Sequence, residues 1–306
     1  MKIAIVGAGA VGAWYAAKLA LAGHETHFVL RSNHDAVKTT GYTLRDHSGE
    51  QRLYPVNAHR NAATVGMCDL VIIGLKATAN DRFAELLTPL VGPDTTLLTL
   101  QNGMGNAEAL GELFGIQKVM AGLCFVCLNR TGPGVIENYH PGRVAFGEGQ
   151  GPARERTWRI ADAFADAGVV VEIADSLEEI LWKKLCWNIP FNGLAIAGGG
   201  ITTDRILASP ALTTTAGALM REIQTAARAR GFHIPNSFLE HQFTVTREMD
   251  AYKPSSLIDY LAGRPVEVDA IWGYPLRRAL AAGVAMPELT RLHATLMQLC
   301  LKKQST

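Results

Sequence analysis

The run Lys2-Ile3-Ala4-Ile5-Val6-Gly7-Ala8-Gly9-Ala10-Val11-Gly12 opens the chain and leaves few folds open to it. A short apolar, β-rich stretch meets glycines spaced G-x-G-x-x-G, and the residues from Ala13 to Leu21 have the composition of a helix. This is the phosphate-grasping corner of a doubly wound α/β sheet. Gly7 permits the tight turn, Gly9 lets backbone approach a pyrophosphate, and Gly12 lets helix and strand pack closely. The N–H groups that a helix start leaves without intrahelical partners then face the phosphates. Gly7, Ala8, Gly9, Ala10, Val11 and Gly12 are therefore candidate cofactor-binding residues.

Bulk properties narrow the function classes. At 306 residues the chain can bury one large core or two ordinary ones. Twenty-nine basic residues against 28 acidic ones give no reason to expect nucleic acid. No run of about 18 apolar residues points to a membrane span, and the chain enters a strand where a signal peptide would lie. A cytoplasmic protein with a small-molecule substrate is the expectation. The five cysteines lack framework spacing. Cys124 and Cys127 form a CxxC without a second pair or a nearby His, so they are expected to be core thiols. Neither a metal nor a disulfide is expected.

Along the first half, β-rich and helical runs alternate as in βα units on a parallel sheet. Strands are expected at 2–6, 25–30, 70–74, 95–100 and 119–126, with helices at 11–22, 80–90 and 106–113. The polar stretch 42–59 should add antiparallel strands. Gly132-Pro133-Gly134 and Pro141-Gly142-Arg143 punctuate hairpin-like edges, and 158–167 reads as the last helix of this part. Beyond Asp175 the texture turns to long helical patterns at 177–188, 211–230, 237–249, 267–282 and 286–302, with Gly198-Gly199-Gly200 as a turn. The expected fold is an α/β Rossmann-type nucleotide-binding domain over 1–172, followed by an all-α helical domain over 173–306. An apolar helical domain can bury either one bundle core or a homodimer surface, and the pattern does not separate them.

An NAD site usually carries an acid about 20 residues beyond the fingerprint, at the end of the second strand. Here Arg31 stands in that place. A guanidinium there pairs with a 2′-phosphate, which favours NADPH/NADP+. The carboxyl ends of the strands carry the site in such sheets, which singles out Lys76 after the third main strand and Asn102 after the fourth. Lys184, Asn188 and Asn192 follow at intervals of four and share a helix face, although Pro190 should kink that helix. Ser255 and Glu267 each stand where a cap or a first-turn acid would.

Together these residues resemble the ketopantoate reductase family (2-dehydropantoate 2-reductases) over essentially the whole chain. The glycine fingerprint, Leu75-Lys76, Gln101-Asn102-Gly103, His140-Pro141-Gly142-Arg143, Trp182 through Asn192 and Ser255 through Glu267 occur in the family's order. The resemblance implies NADPH and a small 2-keto acid meeting in a cleft, with Lys184 as the catalytic lysine. It implies Asn102 near the nicotinamide, Lys76 near cofactor and substrate, and Arg31 near the adenosine phosphate. Asn188 and Asn192 become substrate-side amides, Ser255 the carboxylate anchor, and Glu267 the partner of the lysine or of a substrate hydroxyl. Two positions depart from the family pattern. Tyr252 and Thr202 stand where members often carry asparagines, which points to an altered pocket. The expected reaction is reduction of ketopantoate to pantoate. The alternatives are another 2-oxo acid, a β-hydroxy acid oxidised with NADP, or a non-catalytic dinucleotide-binding protein.

Overall fold

The computed structural model describes residues 1–139 and 142–304. His140 and Pro141, part of one expected hairpin edge and of one family motif, lie outside the described residues. The chain divides into two compact units. The first comprises Met1–Gln101 and Asn106–Leu177, and the second comprises Asn102–Gly105 and the chain from Glu178 onward.

In the first unit the strands are β1 (Lys2–Val6), β2 (Glu25–Val29), β3 (Tyr42–Asp46), β4 (Gly49–Leu53), β5 (Asn57–His59), β6 (Leu70–Ile73), β7 (Thr96–Thr99), β8 (Val119–Phe125), β9 (Leu128–Gly132), β10 (Val135–Asn138), β11 (Arg143–Glu148) and β12 (Val170–Ile173). Eight form one sheet in the order β12-β11-β8-β7-β6-β1-β2-β5, and β4-β3-β10-β9 form a smaller one. β1 pairs in parallel with both β2 and β6, Ile5 opposite Phe28 on one side and Ile72 on the other. Every residue of β6 and β7 is buried. That is why β6 reads as an unbroken apolar run instead of an alternating one, while β7 buries a threonine at each end. The stretch 42–59 does contain the antiparallel pair β3–β4, but β5 joins β2 in parallel. β12, unforeseen in the sequence, has only four residues.

The expected helix at 80–90 is instead three pieces: a 3₁₀ turn Ala77–Arg82, an α-turn Phe83–Leu87 and a second 3₁₀ turn Thr88–Leu90. Ala79 leaves helical geometry at φ −115° and ψ 17°. The Asn80 amide is held from both sides, accepting from Gln101 Nε2 and donating to Asn106 Oδ1, each at 2.8 Å. Pro89 lacks the N–H that a continuing helix would need.

The second unit is helical. Its central helix, Leu177–Ala197, begins on the last residue of the first unit. Trp182, Cys186, Ile189, Phe191 and Ala195 on it are each 0% exposed, so it is buried around most of its circumference. It runs through Pro190 unbroken. The Trp272 indole donates to the neighbouring Ile189 carbonyl at 3.0 Å, and Gly193 is what admits that ring, because a Cβ there would lie 2.9 Å from Trp272 Nε1. The helix closes on the glycine turn, with Gly200 N–H donating to Ala195 O at 3.0 Å. Helices Thr203–Ala208, Pro210–Ala229, Asn236–Glu248, Ser255–Leu261, Tyr274–Ala281 and Pro287–Gln304 share its apolar core. Among the described residues no helix is long and apolar enough to cross a membrane.

Candidate active site

The glycine corner has three distinct physical jobs. Gly7 sits at φ +88°, and a Cβ on it would lie 2.4 Å from Leu75 N, so only glycine fits that turn. A Cβ on Gly12 would meet Gly7 O at 2.6 Å and Ile5 Cδ1 at 2.9 Å, which is the close strand–helix approach. Around Gly9 nothing lies within 4 Å of such a Cβ. Gly9 caps the helix Ala10–Leu21 at φ −71° with no side-chain cap bond. Open space over Gly9 at the start of a helix fits the approach of a pyrophosphate. Arg31 is exposed two residues beyond β2, and Lys76 is the exposed cap residue of the Ala77–Arg82 turn.

Six candidates lie in the second unit. Asn102 does so although Gln101 before it and Asn106 after it belong to the first. Lys184 Nζ donates to Asn102 Oδ1 at 3.1 Å, joining residues 82 positions apart. Asn188 is buried along the same helix face. Asn192, 1% exposed, accepts the Ser256 backbone N–H at 2.9 Å. That contact revises the expected cap. Pro254 occupies the N-cap position without a side-chain bond, and exposed Ser255 is the first helical residue, so Asn192 serves a first-turn amide instead. Glu267 is also revised. It is buried at 6% exposure and precedes the helix, its carbonyl accepting from Ile271 N–H at 3.1 Å.

The departures from the family pattern have local partners. Tyr252 stands 6.2 Å from the Trp187 ring, and Trp187 stacks at 5.3 Å on Phe191 and donates to Thr246 Oγ1 at 2.9 Å. An aromatic wall therefore flanks the helix turn bearing Asn188. The Thr202 hydroxyl donates to Asp204, which holds that carboxyl below the usual carboxylate range.

Cys124 and Cys127, expected in the core, are only half-buried, whereas Cys68, Cys186 and Cys300 are buried. Burial pushes the Cys186 thiol up to about 12. Sequence reasoning missed Glu178, whose carboxylate receives Trp182 Nε1 at 3.2 Å, Arg230 Nε at 2.9 Å and Arg278 Nε at 3.1 Å. Burial alone would raise its pKa, but hydrogen bonds from Arg230, Arg278 and Trp182 and the charge of Arg278 hold it below the glutamate norm.

A family model described as "Ketopantoate reductase PanE/ApbA" matches residues 3–151, and its C-terminal companion matches residues 176–299. The chain belongs to the ketopantoate reductase family. It is accordingly an oxidoreductase, with the Rossmann-type and helical parts that such reductases combine. A curated 2-dehydropantoate 2-reductase from Nostoc sp. is 37% identical over 297 residues, 95% of this chain and 93% of that protein. A crystal structure of 2-dehydropantoate 2-reductase from Geobacter metallireducens superposes with a TM-score of 0.94 at 38% identity, covering 97% of this chain and 99% of that one. D-mandelate dehydrogenase, solved with NADH and anilino(oxo)acetate, shares the reductase fold at a TM-score of 0.88 and 21% identity, covering 100% of this chain and 99% of that one.

Proposed function

We propose that this chain reduces ketopantoate to pantoate with NADPH, residues 1–172 holding the cofactor and 173–306 supplying the acid chemistry. The observation that carries this reading is the Lys184–Asn102 contact at 3.1 Å. An ammonium has three donors and no acceptor. Fixing one N–H on an amide oxygen sets the directions of the other two, as a proton donor requires.

NADPH, when bound, supplies the hydride that reaches the ketone carbon. Negative charge then builds on the ketone oxygen, where Lys184 stabilises it and transfers a proton, leaving an alcohol and a neutral amine that water reprotonates. Glu267 orients the lysine or accepts from a substrate hydroxyl. Ser255 anchors the substrate carboxylate, and Asn192 holds the start of the helix on which Ser255 sits. Asn188 orients the substrate from the same face as Lys184. On the cofactor side, the Gly7–Gly12 corner takes the pyrophosphate, Lys76 faces the anionic ligands, and Arg31 selects the 2′-phosphate.

The Tyr252–Trp187 pair supports a second reading, in which the favoured 2-oxo acid carries a larger apolar substituent than ketopantoate. NADPH oxidation with ketopantoate, a panel of 2-oxo acids and an NADH control separates the two. Lys184→Ala should lower turnover by about 10² or more while NADPH still binds. Full turnover in that variant would remove Lys184 from the mechanism.

A further inference from the structure

We infer that a single π-helical turn, Asp269–Gly273, together with Pro275, creates the backbone acceptor that docks the 102–105 loop and so aims Asn102 at Lys184. The inference rests on the role proposed above for Lys184.

The starting point is one carbonyl. In an α-helix Ala270 O would accept from the Tyr274 N–H four residues on, but that N–H donates to Asp269 O, five residues back. In the π register Ala270 O would turn to residue 275, and Pro275 has no N–H to give. Neither register supplies it a donor, and buried backbone carbonyls are paired as a rule. Its partner comes from a distant part of the chain: Met104 N–H donates to Ala270 O at 2.8 Å.

The loop is shaped to reach that oxygen. Gly103 and Gly105 have φ of +85° and +90°, and a Cβ on Gly103 would lie 2.3 Å from Ala270 O. On Gly105 it would lie 2.6 Å from the Tyr274 ring. Two glycines in the left-handed region thus let the backbone lie flat on the π turn, while the Met104 side chain, 3% exposed, is sunk in the apolar core of the helical unit. Asn102 is the next residue out from this anchor, and its Oδ1 receives Lys184 Nζ. π turns inside helices recur at functional sites. Here the physical reason is visible, because the turn exposes an acceptor that a regular helix would consume. Pro275, Gly103 and Met104 are positioning residues that act through Asn102.

The test uses full-length Pro275→Ala, which gives Ala270 O a π-register donor in competition with Met104. Amide exchange at Met104 should quicken, and kcat should fall about tenfold, within the ~10²-fold that a 1 Å misplacement can cost. KM and NADPH affinity should stay near wild type. Added to Asn102→Ala, the substitution should cost nothing further in kcat, since both act on one contact. Gly103→Ala, which forces the loop off by a clash with Ala270 O, should reproduce the pattern if Pro275→Ala proves poorly folded. Unchanged Met104 exchange in both variants would overturn the inference, as would a kcat loss of equal size in the Asn102→Ala background. Met104 exchange reads the docking without reference to catalysis. An active Lys184→Ala enzyme would therefore sink the proton-donor role while leaving this test intact.

Discussion

Replacing Asn192 with alanine should loosen the start of the helix Ser255–Leu261 before it affects anything at a substrate. The Asn192 amide is 1% exposed and the Ser256 residue 4%, so water cannot take over when Oδ1 is removed from the Ser256 N–H, now 2.9 Å away. Pro254 at the N-cap brings no side-chain acceptor as a substitute. A buried donor left without a partner costs about 1–3 kcal/mol. Taking about 2 kcal/mol, the local opening equilibrium rises about thirtyfold at 1.4 kcal/mol per factor of ten. Native-state hydrogen exchange at the Ser256 amide measures this directly. Asn192→Asp keeps an acceptor oxygen and should restore most of the protection. If Ser256 exchanges as slowly in Asn192→Ala as in the wild type while KM for the 2-oxo acid climbs, Asn192 is a substrate ligand and the helix-start role is wrong.

The glycine corner yields a contrasting pair. Gly9→Ala adds a methyl into open space at a permissive φ of −71° and should leave thermal stability unchanged while weakening NADPH binding in a titration. Gly12→Ala drives a methyl against Gly7 O and should lower both; equal behaviour of the two variants would count against separate roles for these glycines. Arg31→Ala should erase preference for NADPH over NADH in kcat/KM, chiefly by raising KM for NADPH. At Glu178 the folded pKa lies below the ordinary 4.5, so its stabilising contribution is present above pH 4.5 and is lost as pH falls through the folded value. Glu178→Gln should therefore flatten the acid limb of the unfolding curve, and an unchanged limb would show that the Arg230–Glu178–Arg278 cluster is not what acid breaks.

What could be read from the chain was what local chemistry dictates. Gly7 at positive φ and Gly12 against Gly7 O follow from the G-x-G-x-x-G spacing alone, and buried parallel strands such as Leu70–Ile73 announce themselves as apolar runs. The features that escaped depend on distant partners. Whether Tyr274 N–H goes to Asp269 or to Ala270 decides between a π and an α turn, and that choice is tied to Met104, far away in sequence. The 80–90 segment has helical composition, but the Gln101 and Asn106 amides hold Asn80 beside a kink that periodicity cannot show. Ser255 looked like a cap because caps are recognised by residue type, whereas the acceptor for the Ser256 amide comes from Asn192, 64 positions earlier.

The assignment of Asn102–Gly105 to the helical unit bears on how such a protein can be taken apart. A gene cut between codons 177 and 178 would follow the visible change of texture and still sever a module from four of its own residues. The downstream fragment would have a hole where Met104 fills its core, a bare carbonyl at Ala270 and a Lys184 that has lost the Asn102 amide. Shuffling the two halves between relatives therefore exchanges more than a boundary. A chimera joined there inherits its Lys184 from one parent and the Asn102 that meets it from the other, so the loop and the π turn must be swapped together for the graft to take.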